Sequence, residues 1–246
     1  MTRLRLATVR PEEPEIFHSL QGEGISLGRP SVFVRLSGCN LACQWCDTPY
    51  TWYFSGHNGL HRGGQTYDRR ENAVTLDVTD VARRIAAFDC RHIVFTGGEP
   101  LLQQPALAAL CDILGPDYHI EIESNGTVAL TPGFAPHVDQ LNLSPKLRHS
   151  GNEDRARLND SALRLFAADP RAWFKFVIAA PEDAEEVVQL ASRYALPADR
   201  ILLMPEGTSA SVLRERSGWL AALCQSHGWR FTDRLHIHLH GDTRGT

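Results

Sequence analysis

The 246-residue sequence has no long apolar run, no basic excess and no internal repeat, and each absence excludes a class of protein. No segment approaches the roughly 18 consecutive apolar residues of a membrane-spanning helix. Lys and Arg number 25 against 29 Asp and Glu, whereas binding to a phosphate backbone requires a basic excess. Residues 1–14 mix Arg with Glu and contain no hydrophobic core of a signal peptide. We therefore expect a cytoplasmic protein that binds neither a membrane nor nucleic acid.

Six cysteines are distributed unevenly along the chain. Cys39, Cys43 and Cys46 lie within eight residues of one another. The other three stand in or beside apolar segments: Cys90, Cys111 and Cys224. Cytoplasmic thiols stay reduced, so clustered cysteines are expected to be ligands or nucleophiles before they are disulfides. The isolated cysteines are expected to be core residues, because a free cysteine packs as a small hydrophobic side chain.

Short apolar segments alternate with segments of helical spacing along most of the chain. The predicted strands are residues 32–36, 93–95, 118–123, 141–143, 173–179 and 201–204. The predicted helices are residues 78–88, 105–114, 161–168, 181–194 and 212–226, and residues 235–239 complete the series.

This alternation predicts an α/β fold with a parallel sheet and outer helices. About six such units fall short of a closed eight-stranded barrel, so we expect an incomplete (partial) TIM barrel. Residues 1–246 are expected to form a single domain. Residues 53–75 are rich in Gly, His, Arg and Asn and lack clear periodicity, which predicts a loop insertion.

Polar and glycine-rich groups follow the predicted strands where each strand ends. They are the cysteine loop at 39–46 and residues 96–100, 124–127, 144–146 and 205–207. The carboxyl ends of parallel strands meet at one edge of the fold, where sites are built. We therefore expect these groups to surround one functional site.

The spacing of Cys39, Cys43 and Cys46, with three and two residues between them, indicates that the sulfurs converge. Three thiolates can bind zinc with a histidine as the fourth ligand, and the candidates are His18, His57 and His61. Three thiolates can also hold an iron–sulfur cluster, and they then leave one iron free for another ligand. The spacing favours a cluster but leaves zinc open.

Trp45 before the third cysteine and the downstream Gly-Gly-Glu-Pro at 97–100 resemble the radical S-adenosylmethionine (SAM) superfamily. Further motifs are similar to those of the 7-carboxy-7-deazaguanine synthase family: Gln-Gly-Glu-Gly at 21–24, Cys-Asp-Thr at 46–48, Ser-Pro-Lys at 144–146 and Arg-Leu-His at 234–236. The resemblance implies a lyase that converts 6-carboxy-5,6,7,8-tetrahydropterin to 7-carboxy-7-deazaguanine with release of ammonia. The pathway it implies is 7-deazapurine and queuosine biosynthesis.

The same resemblance implies a role for each matching residue. Cys39, Cys43 and Cys46 would hold a 4Fe–4S cluster whose fourth iron binds SAM, and Thr48 would be a ligand of Mg²⁺. The implied SAM site consists of Trp45, Gly97, Gly98, Glu99, Ser124, Ser144, Lys146 and Glu206. The implied pterin site consists of Leu20, Gln21, Gly22, Glu23, Arg35, Thr96, His236 and Thr246. A flavodoxin-like or other one-electron reductant and a homodimer are also implied.

Two other functions are considered. A glycyl-radical enzyme activase shares the cysteine motif, but it acts on a partner protein and has no need of a pterin-binding Gln-Gly-Glu-Gly loop. A zinc-binding module without catalysis would use the cysteines as a scaffold. Metal analysis of oxygen-free protein and an assay with the carboxylated pterin distinguish the three.

Overall fold

The computed structural model describes residues 2–246 and contains one sheet of 11 strands, flanked by helices. The strands are β1 (Arg3–Arg10), β2 (Glu13–Pro14), β3 (Ile16–Leu20), β4 (Pro30–Leu36), β5 (Ala73–Asp77), β6 (His92–Gly97), β7 (His119–Ser124), β8 (Gln140–Leu143), β9 (Ala172–Ile178), β10 (Ile201–Pro205) and β11 (Arg230–Phe231). The helices are α1 (Arg69–Asn72), α2 (Val78–Ala86), α3 (Gln104–Leu114), α4 (Asp154–Arg157), α5 (Asp160–Ala168), α6 (Asp183–Tyr194), α7 (Ala210–His227) and α8 (Leu235–His240).

The parallel part of the sheet runs in chain order from β4 through β6, β7, β8, β9 and β10 to the two-residue β11. The first and last strands of this row do not pair with each other, so the barrel is open. The prediction of a partial TIM barrel with about six parallel strands is confirmed.

Apolar side chains of the parallel strands and of the helices that cover them form one continuous core. In α2, for example, Val78, Val81 and Ile85 are buried, and their spacing of three and four residues places them on one face. Caps define helix ends: the Asn159 side chain accepts a hydrogen bond from the Ala162 amide at the start of α5. Because these strands pair in parallel, their carboxyl ends lie on the same side of the sheet.

At the β4 edge, the sheet continues into antiparallel strands that were not predicted from the sequence. Strands β1 and β3 both pair with β4, and β5 pairs with β1 through the Ala7–Ala73 and Leu4–Leu76 positions. In residues 53–75, the irregular segment contains a Phe54–Tyr67 bridge, then α1 and the first residues of β5. The chain therefore rejoins the sheet at Ala73, inside the segment predicted to be a loop.

Residues 235–239, which complete the predicted series, lie in helix α8. The alternating apolar residues of this segment are not matched by alternating burial, because only Ile237 of the helix is buried. The last parallel position belongs to β11 instead. Among the described residues, no helix is both long enough and apolar enough to span a membrane.

Candidate active site

A cavity of about 230 Å³ opens at the carboxyl ends of the parallel strands. Of the candidate residues, all except Glu99 border it: Leu20, Gln21, Gly22, Glu23, Arg35, Cys39, Cys43, Trp45, Cys46, Thr48, Thr96, Gly97, Gly98, Ser124, Ser144, Lys146, Glu206, His236 and Thr246. The loops that follow β4, β6, β7, β8 and β10 therefore meet around one space, together with the segment from Leu20 to Glu23 and the chain beyond α8.

The three clustered cysteines are free thiols on the wall of this cavity. Burial raises the pKa of Cys39 to about 12 and that of Cys46 to about 11, and it also raises the pKa of Cys43. Such thiols lose their protons when they bind a metal, which is how thiolate ligands form. Nitrogen donors already face two sulfurs: the Leu41 amide lies 3.4 Å from Cys39 Sγ, and Asn152 Nδ2 lies 3.3 Å from Cys43 Sγ. The donor set fits an iron–sulfur cluster.

The histidines considered as a fourth zinc ligand have other contacts. The Nδ1 atoms of His57 and His61 accept hydrogen bonds from the amides of Gly59 and Gly63, at 2.9 and 3.1 Å. Nε2 of His61 lies 2.8 Å from the Cys46 carbonyl oxygen, and His18 packs against an aromatic ring 6.1 Å away. Within residues 2–246, no group of three or more His, Cys, Asp or Glu side chains is arranged to hold a single metal ion.

An aromatic and cationic wall stands beside the cysteines. The Trp45 ring stacks on His149 with a centroid distance of 5.3 Å, and Lys146 Nζ lies 5.7 Å from the centre of the Trp45 ring. Lys146 also donates a hydrogen bond of 2.9 Å to Ser144 Oγ. Nε1 of Trp45 is buried and has no hydrogen-bond partner in the part of the chain that the structure describes. This wall offers a flat apolar surface and a positive charge to the cavity.

Two glycines hold the cysteine loop against the loop that follows β6. The Gly98 amide donates to the Leu36 carbonyl at 3.0 Å, and a Cβ atom at Gly98 would overlap the Gly38 carbonyl oxygen. Gly97 adopts a φ of +117°, which side chains rarely allow, and a Cβ there would overlap the Leu36 carbonyl oxygen. Only glycine lets these two backbones come so close.

Glu99, which the resemblance places in the SAM site as the residue that caps or orients the glycine loop, does not border the cavity. Its fully buried carboxylate accepts hydrogen bonds from the Leu101 amide at 2.9 Å, Ser124 Oγ at 2.9 Å and the Asn125 amide at 2.8 Å. Burial raises the pKa of this carboxyl, and its hydrogen bonds oppose that shift. Glu99 therefore ties the loop after β6 to the loop after β7 and orients both.

The predicted pterin-binding residues form a polar group on the other side of the cavity. Gln21 Nε2 donates to Glu121 Oε1 at 2.7 Å and to Glu123 Oε1 at 3.1 Å, and Thr96 Oγ1 donates to Glu123 Oε2 at 2.7 Å. Burial raises the pKa of Glu123. Gly22 has no room for a side chain, because a Cβ there would overlap the His236 ring.

Glu23 is not a free acceptor, since two cations hold its carboxylate. It pairs with Lys175 and, at 3.1 Å, with Arg234 Nε, and His236 Nε2 lies 4.0 Å away. Burial opposes ionisation of Glu23, but the paired cations outweigh it and hold its pKa well below the ordinary range. Arg234 also pairs with Asp47 beside the third cysteine. The carboxylate therefore stays ionised inside a network.

Lys175 and Arg234 were not among the predicted site residues, although each has a recognisable feature in the sequence. Lys175 is a charged residue in the otherwise apolar strand β9, and its side chain faces the inside of the barrel. Arg234 belongs to the Arg-Leu-His motif at 234–236, in which only the histidine received a role. Both side chains are 6% exposed, so each needs a buried carboxylate partner.

The remaining candidates are Glu206, Thr48 and Thr246, and only Glu206 is held by charged partners. Glu206 pairs with Arg216 and lies 3.7 Å from Arg62, so cations already surround its carboxylate. Thr48 precedes a short 3₁₀ turn, but its hydroxyl makes no capping hydrogen bond and lies 3.7 Å from Cys46 Sγ. Thr246 borders the cavity beside the segment that follows α8.

The model of the radical SAM superfamily matches residues 33–214, which is most of this chain, and the chain therefore belongs to that superfamily. Membership implies a 4Fe–4S cluster and SAM as cofactors. Within the superfamily it belongs to the 7-carboxy-7-deazaguanine synthase family. The 7-carboxy-7-deazaguanine synthase of Pyrobaculum aerophilum is 39% identical over 242 residues, covering 97% of this chain and 99% of that protein.

Other relatives agree with this assignment. The 7-carboxy-7-deazaguanine synthase of Halobacterium salinarum is 34% identical over 94% of this chain and 91% of its own length. The crystal structure of QueE from Escherichia coli superposes with a TM-score of 0.67 and 26% identity, covering 95% of each chain. Streptococcus suis SuiB bound to its precursor peptide shares the fold alone, with a TM-score of 0.54, 12% identity, and coverage of 82% of this chain and 47% of that one.

Proposed function

We propose that this chain is a radical SAM lyase that converts 6-carboxy-5,6,7,8-tetrahydropterin to 7-carboxy-7-deazaguanine with release of ammonia, in 7-deazapurine and queuosine biosynthesis. One observation carries the proposal: three free thiols, the glycine-rich loop after β6 and the polar group around Gln21, Arg35 and Thr96 border the same cavity. The names of the relatives that span the whole chain point to the same product. The activase alternative lacks this support.

Cys39, Cys43 and Cys46 would hold the 4Fe–4S cluster, and the bound cluster and SAM would supply the electron and the hydrogen-abstracting carbon radical. Lys146 offers a cation to the carboxylate of SAM, and Trp45 offers its ring face to the adenine. Glu99 positions the glycine-rich loop through its hydrogen bonds to neighbouring backbone amides.

Gln21, Thr96 and the carboxylates around them match a flat heterocycle with amide-like and guanidine-like edges. Arg35 would bind the substrate carboxylate, since a guanidinium binds a carboxylate through two parallel hydrogen bonds. The Thr48 hydroxyl would add one oxygen ligand to Mg²⁺, while the substrate carboxylate and waters complete an octahedral shell. His236 and Thr246 close the pterin end.

Two carboxyl groups of the cavity differ in their readiness to hold a proton. Glu23 is kept ionised by its cations, whereas burial raises the pKa of Glu123, so Glu123 holds a proton more readily. Both Glu123 oxygens accept hydrogen bonds, from Gln21 Nε2 at 3.1 Å and from Thr96 Oγ1 at 2.7 Å, so Glu123 orients these two side chains at the cavity. Glu23 stays paired with Lys175 and Arg234 and orients those two cations.

The proposal also includes a one-electron reductant, flavodoxin-like or of another kind, since radical SAM chemistry starts with an electron. It includes a homodimer. It also includes a cytoplasmic location, because the cluster thiols must stay reduced. Size-exclusion chromatography with light scattering tests the dimer.

Oxygen-free reconstitution tests the function. Wild-type protein is expected to hold about four iron and four sulfide per chain and to form 7-carboxy-7-deazaguanine from the carboxylated tetrahydropterin, SAM, Mg²⁺ and dithionite. Cys43→Ala should lose the cluster and the product. The matched control is Cys90→Ala, since Cys90 is a half-buried cysteine that does not border the cavity. A wild-type protein that has a full cluster but forms no product contradicts the proposal.

A further inference from the structure

A buried carboxylate lies directly behind the proposed carboxylate-binding arginine. Glu15, between β2 and β3, is fully buried, and its Oε1 accepts a 2.8 Å hydrogen bond from Arg35 Nε. The Arg35 amide also donates to the Glu15 carbonyl oxygen at 3.1 Å. Two contacts between the same two residues fix both the backbone and the side chain of Arg35.

This contact determines which edge of the guanidinium faces the cavity. The Glu15 carboxylate accepts the hydrogen bond of Arg35 Nε. Within residues 2–246, neither Nη atom of Arg35 has a hydrogen-bond partner. The side chain keeps 18% of its surface exposed, and it borders the cavity. The Nη1–Nη2 edge presents two parallel N–H groups, a spacing that matches the two oxygens of a carboxylate.

A tyrosine fixes the carboxylate in turn. Tyr50 is buried, and its hydroxyl lies 3.2 Å from Glu15 Oε1 and 3.0 Å from Oε2. The Arg244 guanidinium, from the segment after α8, covers the Tyr50 ring at 3.5 Å from its centre. Arg244 Nη1 also donates to Asn72 Oδ1 at 3.0 Å. A continuous row of contacts thus joins this segment to Arg35 through Tyr50 and Glu15.

We propose that Glu15 and Tyr50 are positioning residues that aim the outer edge of Arg35 at the carboxylate of the substrate. The inference rests on the proposed function, because it assigns these residues to recognition of the pterin carboxylate. Glu15 does not border the cavity and Tyr50 does, but the Tyr50 hydroxyl is bonded to Glu15, so both are assigned an action through Arg35. A polar heterocycle without a carboxylate would bind the cavity without using them.

The test compares two non-reacting ligands, 6-carboxypterin and pterin, which differ only in the carboxylate. Binding is measured by oxygen-free calorimetry on the reconstituted protein with SAM and Mg²⁺. Wild-type protein is expected to bind 6-carboxypterin at least about tenfold more tightly, as for hydrogen bonds to a charged group. Tyr50→Phe and Glu15→Gln are expected to reduce this preference about fivefold or more while the affinity for pterin stays the same.

Tyr67→Phe is the matched control, because the Tyr67 ring lies near Arg244, at 5.5 Å, but does not border the cavity. It should keep the full preference. If Glu15→Gln fails to fold, Tyr50→Phe decides alone, since it removes one hydroxyl from an otherwise unchanged ring. A Tyr50→Phe variant that keeps the wild-type preference overturns the inference. A variant that loses affinity for both ligands equally also overturns it, because that result shows a general structural role.

The proposed function is tested separately by product formation in the wild type. A wild-type protein that forms product while Tyr50→Phe keeps the preference refutes only the positioning role. A wild-type protein that forms product without any preference for the carboxylated ligand also refutes only the positioning role, whereas one with a full cluster and no product refutes the proposed function.

Discussion

Replacing Lys175 by methionine removes one positive charge from the buried ion-pair network of the cavity. The Lys175 side chain is 6% exposed, and its partner Glu23 is 14% exposed. Removing one member of a buried pair costs about 3–5 kcal/mol, because the other charge stays buried without compensation. Arg234 remains 3.1 Å from Glu23, so we expect the lower end, about 3 kcal/mol, for Lys175→Met.

The pKa shifts predict how this loss depends on pH. The cations hold the pKa of Glu23 below its ordinary value, so its stabilising contribution is complete above about pH 5 and is lost as the pH falls toward the lowered pKa. Burial opposes the charge of Lys175, but its carboxylate neighbours raise its pKa above 10.5, so its contribution is complete below about pH 10. The difference between wild type and variant should therefore be largest between about pH 5 and pH 10 and smaller near pH 3.

Thermal unfolding of the apoprotein under reducing conditions measures this effect. A loss of about 1 kcal/mol lowers the Tm of a chain of this size by about 2–4 °C, so Lys175→Met should unfold about 6–12 °C earlier at pH 7. Arg155→Met is the control, because the Arg155–Glu153 pair is 87% and 70% exposed and such pairs contribute little. Equal Tm values for wild type and Lys175→Met at pH 7, or an undiminished difference at pH 3, would refute the reasoning.

Three further predictions concern the cluster loop and the metal. Gly98→Ala should displace the cysteine loop, because its methyl group overlaps the Gly38 carbonyl, and such overpacking costs about 1–3 kcal/mol of stability. The iron content after reconstitution should therefore fall, whereas Gly133→Ala, with open space around it, should leave the iron content unchanged. Thr48→Ala should weaken the Mg²⁺ dependence of turnover while the iron content stays normal, and an unchanged Mg²⁺ titration contradicts the assigned role. His61→Ala removes a 2.8 Å contact with the Cys46 carbonyl, worth about 1 kcal/mol, and should speed iron loss to a chelator several-fold; equal rates would show that the contact does not hold the loop.

Hydrophobic patterning was sufficient for the parallel part of the fold but not for its antiparallel edge. Strands such as β10 are buried on both faces, so their sequences are continuous apolar runs of the type found in parallel sheets. Strand β1 has the pattern RLRLATVR, in which Arg3 and Arg5 are exposed and Leu4 and Leu6 are buried. This alternation is typical of a strand with one buried face. It was not predicted as a strand, because the segment is rich in arginine and no helix follows it directly.

The site was predictable to the extent that it consists of loops after strands. Chain order alone places those loops at one end of a parallel sheet, which is why the cysteine and glycine loops were assigned together. The charged partners of Glu23 were not predictable in this way, because Lys175 and Arg234 lie 152 and 211 residues away in the chain. Such pairing depends on the fold bringing together the segment after β3, strand β9 and the start of α8. A charged residue inside an apolar strand is the one local signal of it.

The pairing of charges inside the cavity determines where ligands can bind. Glu23, Lys175, Arg234 and Asp47 neutralise one another, so they present fixed dipoles to a ligand rather than free charge. Lys146 differs, because in residues 2–246 it has no carboxylate partner within ion-pair distance, and it faces the Trp45 wall beside the cysteines. The outer edge of Arg35 is likewise unpaired and borders the same cavity. An anionic group can therefore bind at Lys146 or at Arg35 without displacing an internal pair. The two positions suit the two carboxylates of the proposed reaction, that of SAM at Lys146 and that of the pterin at Arg35.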